Sequence, residues 1–195
     1  MKDELEKIKK LREETLVSFA LCKEALEKNN WDLEKAKDYL RQKGALKLEA
    51  KETRQSLNGT IDAYVHQGKI GVLVELRCET DFVAQNEEFK KLAHEIALQI
   101  ASMMPKYIKI EDISQEEKEK MIEILKQSDK ELATKPAEIQ QKILDGKLRK
   151  IFEEIVLLEQ PWIKNQDIKI KNLIEDAVLK FGEKIEISRF CLFKI

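Results

Sequence analysis

The side chains best suited to nucleophilic chemistry are few: Cys22, Cys78 and Cys191, with His66 and His94. A Cys78–His66 or Cys78–His94 pair would supply a nucleophile and a base, although thiol activation also needs an electropositive setting. The alternative is a strand cysteine packed as a small hydrophobe beside two surface or half-buried histidines. His94 opens His-Glu-Ile-Ala, but residue 98 is a leucine, so the zinc-binding HExxH pattern fails. There is no GxxxxGK[ST] phosphate loop, and no GxGxxG follows a strand. The cysteines are odd in number and scattered, without a CxxC pair, which excludes zinc ribbons and thioredoxin-like sites. Glu87-Glu88 reads more simply as a helix start than as a general acid pair. The expectation is a protein without catalytic residues, metal ligands or a cofactor.

The residue that asks for an explanation is Phe82, in Glu79-Thr80-Asp81-Phe82-Val83-Ala84, a short polar connection. In one reading Thr80 or Asp81 caps the following helix and Phe82 folds back on it as a hydrophobic staple. In the other, a strand and a long helix hold a rigid loop that presents Asp81 and Phe82 outward as interface anchors. Residue physics alone favours the staple, because most aromatics are core.

Periodicity supplies the elements that must position this loop. Residues 3–14 read as a helix. Ser18 caps a second, Phe19 to Lys28, with Leu21, Cys22, Ala25 and Leu26 in one stripe. Asn29-Asn30-Trp31 turns, and Asp32 caps a third helix to Lys43 with Gly44 as its C′ residue. Residues 46–58 are charged and read as a linker, in part helical. The period then changes to two. Thr60–His66 and Ile70–Arg77 form an antiparallel hairpin around Gln67-Gly68-Lys69. Asn86 caps a strong helix with Phe89, Leu92, Ala93, Ile96, Ala97, Ile100 and Ala101 inward, ending at Met104-Pro105. A charged helix over 115–127, able to project from the body, precedes another that starts at Pro136. Gln160-Pro161-Trp162 ends that region. A helix from Lys171 to Phe181 is closed by Gly182, and Glu183–Phe193 alternates as a last strand. The expected fold is α+β: a three-helix unit (1–45), the linker (46–58), and a core (59–195) in which helices cover one face of a three-stranded antiparallel sheet.

Composition sets the outer limits. The chain has 195 residues, 43% apolar and 37% charged, enough for one good-sized domain with a small appendage. Lys and Arg (36) balance Asp and Glu (37), which argues against binding driven by nucleic-acid phosphates. The N-terminus is too acidic and polar for a targeting peptide, no apolar run is long enough to span a membrane, and the cysteine usage suits a reducing cytosol; a cytoplasmic protein is expected.

CETDFVAQNEEF resembles the signature of the elongation factor Ts family, the guanine-nucleotide exchange factors of elongation factor Tu. Further motifs follow in the family's order. LREET…CKEALEKNNWDLEKAKDYLRQKG is similar to its ubiquitin-associated-like N-terminal domain, and GTIDAYVHQGKIGVLVELRCETDFVA to its core hairpin and signature loop. KPAEIQQKILDGKLRKIFEEIVLLEQPWIK and EKIEISRFCLFKI are similar to its later core segments. The resemblance implies an exchange wedge at Thr80, Asp81, Phe82 and Val83, with Asp81 and Phe82 entering between helices of the partner's nucleotide domain. It implies docking by Arg12, Phe19 and Lys23, and electrostatic steering by Lys51 and Arg54. Between Thr15 and Cys22 the family carries Gly-Ala-Gly, two methionines and an acidic residue, whereas this chain reads Leu16-Val17-Ser18-Phe19-Ala20-Leu21; the turn must differ here. His66 matches a family position, and Arg189 one of two adjacent arginines, with Ser188 replacing the other. The chain has room for one core half, so it resembles the short form, in which two chains pair their sheets as a homodimer; Cys191 lies on a pairing strand. Two other classes fit parts of the sequence: a peptide- or ubiquitin-like-binding module built on the first 45 residues, and a thiol hydrolase using Cys78.

Overall fold

A computed structural model describes residues 2–15, 17–51, 53–129 and 136–195. In chain order the elements are α1 (Lys2–Thr15), α2 (Phe19–Lys28), α3 (Leu33–Ala50), β1 (Asn58–His66), β2 (Ile70–Cys78), α4 (Asp81–Gln85), α5 (Glu87–Met103), α6 (Gln115–Ser128), α7 (Ala137–Ile155), β3 (Pro161–Trp162), β4 (Asn165–Lys169), α8 (Ile170–Phe181) and β5 (Glu186–Lys194). The fold is α+β, N-terminal helices followed by a mixed core. Contacts divide it into two units: Met1–Ala97 with Lys171–Ile195, and Leu98–Ile170.

In the first unit, α1 to α3 bury Ile8, Leu11, Val17, Cys22, Ala25, Leu26, Ala36 and Leu40, and Leu179 of α8 completes the same cluster. The Ser18 hydroxyl accepts from Leu21 N at 3.4 Å and starts α2. Asn30 and Trp31 both have left-handed backbone (φ 52° and 61°), and the Asp32 carboxylate accepts from Lys35 N at 3.1 Å to open α3. Leu16, in the atypical turn, and Glu52, in the expected linker, lie outside the described residues; around them, Val17 is buried and Phe19 is 42% exposed. One boundary differs from the sequence reading. Gly44 does not end α3, which runs on to Ala50. A Cβ at Gly44 would lie 2.7 Å from the Glu175 carbonyl oxygen of α8. The glycine permits two helices to touch rather than stopping one.

The sheet has the order β1-β2-β5, antiparallel throughout. Gln67 and Gly68 (φ 50° and 69°) make the tight hairpin turn, closed by Lys69 N donating to His66 O at 2.9 Å. On one face Val72, Val74, Leu76, Cys78 and Ile187 are buried. Helix α5 lies over this face: His94 Nδ1 is 3.0 Å from the Asp62 carboxylate and its ring meets Tyr64 edge-on. The register aligns three rows on the other face: Ile61–Glu75–Arg189, Ala63–Leu73–Cys191 and Val65–Gly71–Phe193. There Ile61, Val65, Leu73 and Phe193 are 66%, 67%, 49% and 70% exposed.

The second unit joins the end of α5 to α6 and α7. Ser114 and Glu117 form a capping box at the start of α6, and Lys147 of α7 donates to Asp129 just past its end at 2.7 Å. Where the sequence showed only a break at Gln160-Pro161-Trp162, β3 and β4 form a small hairpin. It is fastened by buried amides: Gln99 Nε2 donates to Gln160 Oε1 and to Pro161 O, both at 3.1 Å, and Gln99 Oε1 accepts from Ile163 N at 2.9 Å.

Candidate functional site

The end of β2 is where the sequence placed its odd aromatic. Val72, Val74, Leu76 and Cys78 anchor the strand inward, so Glu79 and Thr80 emerge at its end in a fixed direction. The five-residue helix α4 then follows, with Phe82 on its outer side, 85% exposed. Phe82 is therefore not a staple: it points into solvent. Asp81 is exposed beside it, and Val83 is half-buried, with its carbonyl accepting from Asn86 N at 3.0 Å. Thr80 occupies the N-cap position of α4 yet makes no side-chain cap bond. Its hydroxyl donates to Glu183 Oε1 at 2.6 Å instead.

Beneath the loop lies a polar knot drawn from four segments. Glu183 Oε2 accepts from the backbone N–H of Glu79 at 3.1 Å and of Thr80 at 3.0 Å. In return, the Glu79 carboxylate accepts from Lys184 N at 2.6 Å. Asn58 Nδ2 donates to Glu79 O at 2.8 Å, and the Cys78 thiol to Thr80 O at 3.1 Å. Lys51, directly after α3, donates to Gly182 O at 2.5 Å and sits 3.5 Å from the Glu79 carboxylate; Arg54 lies 3.2 Å from that carboxylate. The Lys184 N–H, with Arg54 and Lys51, holds the Glu79 carboxyl below the usual range. So Lys51 and Arg54 belong to the base of the loop. Arg12, Phe19 and Lys23 are exposed on α1 and α2, with Phe19 and Lys23 one turn apart on the same helix face and Lys23 3.6 Å from Glu27.

The hydrolase reading has no geometry behind it. Burial, and the nearby charge of Glu183, push the Cys78 thiol up to about 11, so it is protonated at neutral pH. His66 Nδ1 pairs with the Tyr64 hydroxyl at 3.0 Å, and His94 pairs with Asp62. Among the described residues no group of three or more His, Cys, Asp or Glu is arranged to hold a metal ion, and no helix is long and apolar enough to cross a membrane.

One feature escaped sequence reasoning. The roles of Glu79 and Glu183 depend on a contact across more than a hundred residues, and no local pattern announces it. The open sheet face did leave a signal: Ile70–Leu76 is nearly continuous in apolar residues, the mark of a strand destined for cover on both sides. On that face Glu75 pairs with Arg189 and, at 2.5 Å, with Arg77, and both arginines hold its carboxyl low.

Comparison with known proteins gives the site its context. The family model described as Elongation factor TS matches residues 21–195. A protein of Thermodesulfovibrio yellowstonii named elongation factor Ts is 50% identical over 188 residues, covering 96% of this chain and 94% of its own length. Proteins of the same name from Carboxydothermus hydrogenoformans and Thermotoga neapolitana are 47% and 45% identical, covering 96% and 100% of this chain and 87% and 98% of their own lengths. With the signature loop, the helical N-terminus and the mixed core in one matched span, the chain belongs to the elongation factor Ts family.

Proposed function

We propose that this chain, a translation elongation factor by family, is a guanine-nucleotide exchange factor that binds elongation factor Tu·GDP in the cytoplasm and promotes GDP release. The observation that carries the reading is Phe82, 85% exposed on a loop whose backbone is tied down at Glu79 and Thr80. An exposed aromatic normally loses its rotamer freedom and its neighbours' freedom on binding; a pre-ordered base reduces that cost. Asp81 and Phe82 enter between helices of the partner's nucleotide domain and disturb its Mg²⁺ site and phosphate loop, while Thr80 and Val83 shape the loop. Arg12, Phe19 and Lys23 dock the helical unit on the same domain. The 1–45 unit thus holds the partner and the 59–195 core acts on it. Lys51 and Arg54, in the 46–58 segment between them, set the base of the wedge.

No bond is made or broken by the factor. It acts by preferring nucleotide-free elongation factor Tu, and linkage makes the coupling mutual: the factor weakens GDP by the ratio in which GDP weakens the factor. Burying Phe82 contributes about 2–3 kcal/mol, and each ~1.4 kcal/mol is tenfold in affinity, so the wider interface shares any larger effect.

The functional particle is a homodimer. The outer sheet face, with Ile61, Val65, Leu73 and Phe193 exposed around Ala63 and Cys191, is apolar, and the Glu75–Arg189 pair lies at one end of it. A two-fold axis near Leu73 stacks one such face on another, apolar centre to apolar centre.

The test is calorimetric titration of the chain into elongation factor Tu, once free of nucleotide and once loaded with GDP. Binding should be tight to the first and at least tenfold weaker to the second, with GDP added back displacing the factor. Equal affinity for both forms would refute exchange activity, because a ligand without differential affinity shifts nothing.

A further inference from the structure

We propose that Glu183 and Glu79 form a reciprocal carboxylate clamp that positions the exchange wedge, so that Glu183, from the α8–β5 junction, is a positioning residue for nucleotide release. The inference rests on the wedge reading above.

The geometry is specific. Each glutamate serves the backbone of the other's segment: Glu183 takes the N–H groups of Glu79 and Thr80, and Glu79 takes the N–H of Lys184. Two N–H bonds to one carboxylate oxygen tie down the two successive peptides just before α4, and the third bond, from the Thr80 hydroxyl, holds the side chain at the N-cap position. A Thr80 engaged in this way cannot turn to cap α4. The start of α4 is instead set from outside, by a residue that folding brings from the far end of the chain. Phe82 is 85% exposed, so little packing orients it and its direction depends on what holds residues 79 and 80.

The clamp also receives the end of α3. Lys51, immediately after that helix, bridges Gly182 O and the Glu79 carboxylate, and Lys184 Nζ donates to Arg54 O at 3.1 Å. Gly44 of α3 lies against Glu175 of α8. Two helices thus run in contact and deliver their ends to the same knot.

The experiment uses the full chain with Glu183→Ala, Glu183→Gln, Phe82→Ala and the Phe82→Ala/Glu183→Ala pair. Two quantities are read: release of fluorescent GDP from elongation factor Tu across factor concentrations, and amide hydrogen exchange at Glu79 and Thr80 in the free factor. Glu183→Ala should lower the maximal release rate about tenfold, the equivalent of ~1.4 kcal/mol, with the half-saturating concentration little changed. Glu183→Gln keeps an acceptor oxygen in place and should restore most of the rate. Protection of the two amides should be present in wild type and Glu183→Gln and lost in Glu183→Ala. The double variant should be no slower than Phe82→Ala alone. The clamp is overturned if these amides are unprotected in wild type, if Glu183→Ala releases GDP at the wild-type rate while Phe82→Ala does not, or if the two losses simply add. Release unaffected by Phe82→Ala would instead sink the wedge reading, and the clamp's part in exchange with it, while the amide protection still reports whether the clamp forms.

Discussion

Replacing Leu73 by Asp probes the open sheet face at its centre. Leu73 is 49% exposed, with Ala63 and Cys191 as its direct cross-strand neighbours. Ile61, Val65, Leu73 and Phe193 together expose about two and a half complete apolar side chains, worth ~4–8 kcal/mol per protomer when covered. Two protomers double that gain, which sets it above the low end of the roughly 4–15 kcal/mol cost of association. Asp at 73 forfeits about 1 kcal/mol of Leu burial and adds the desolvation of an unpaired carboxylate, so a loss of ~3 kcal/mol per chain is a low figure. Counted twice across a two-fold axis, that raises the dimer dissociation constant about ten-thousandfold. Sedimentation equilibrium reads the outcome: the 22.8 kDa chain should sediment at twice its mass, and the variant at its own. Cys191 provides a second readout, since mild oxidation should link wild-type chains through it. A wild type that is monomeric at every concentration, or a variant that dimerises as well as wild type, would refute the stacked-sheet reasoning.

Two further substitutions test the packing that supports the site. Gly44→Ala would ordinarily stabilise a helix by up to about 1 kcal/mol, but here the methyl meets the Glu175 carbonyl at 2.7 Å, so thermal unfolding should show a loss of ~1–3 kcal/mol instead. Asp176 is half-buried in a cleft shared with Arg41, Lys180 and Phe181, and burial raises its carboxyl from 3.8 to about 6. A raised folded value means that its contribution is fully favourable below the unfolded value and is lost as pH rises through about 6. Asp176→Asn should therefore stabilise the chain at pH 7.5, by up to about 3 kcal/mol, and by nothing near pH 3.5; melting curves at the two pH values decide.

Most of the secondary structure was legible because its signals are local. Ser18, Asp32 and Asn86 open helices where their side chains accept early N–H groups, and Gln67-Gly68 turns the hairpin through two left-handed residues. The misreadings share a cause, since each depends on a distant partner. Gly44 carries a stop signal that the approach of α8 overrides, and the β3–β4 hairpin depends on Gln99 from α5. By residue physics alone Phe82 reads as a core aromatic, because most are; its 85% exposure shows that it has no core to enter. Lys51 and Arg54 read as linker charges that steer a partner; the structure gives them a counter-ion within the chain, Glu79, brought across from the end of β2. Thr80, Asp81, Phe82 and Val83 were nameable from the signature. The carboxylates that hold them were not, since nothing in Gly182-Glu183-Lys184 signals a contact with Glu79.

Phe82, on this reading, is a wedge for exchange and carries no weight in the fold. Release of fluorescent GDP from elongation factor Tu, driven by wild type and by Phe82→Ala with melting temperatures measured on both, tests it most directly. At the low end for an aromatic side chain, roughly 150 Å², the exposed share of Phe82 is worth about 3 kcal/mol on burial. Melting should be unchanged, with release accelerated by wild type but slowed about a hundredfold in the variant. A variant that melts early yet releases GDP at the wild-type rate would make Phe82 a structural residue and contradict the account.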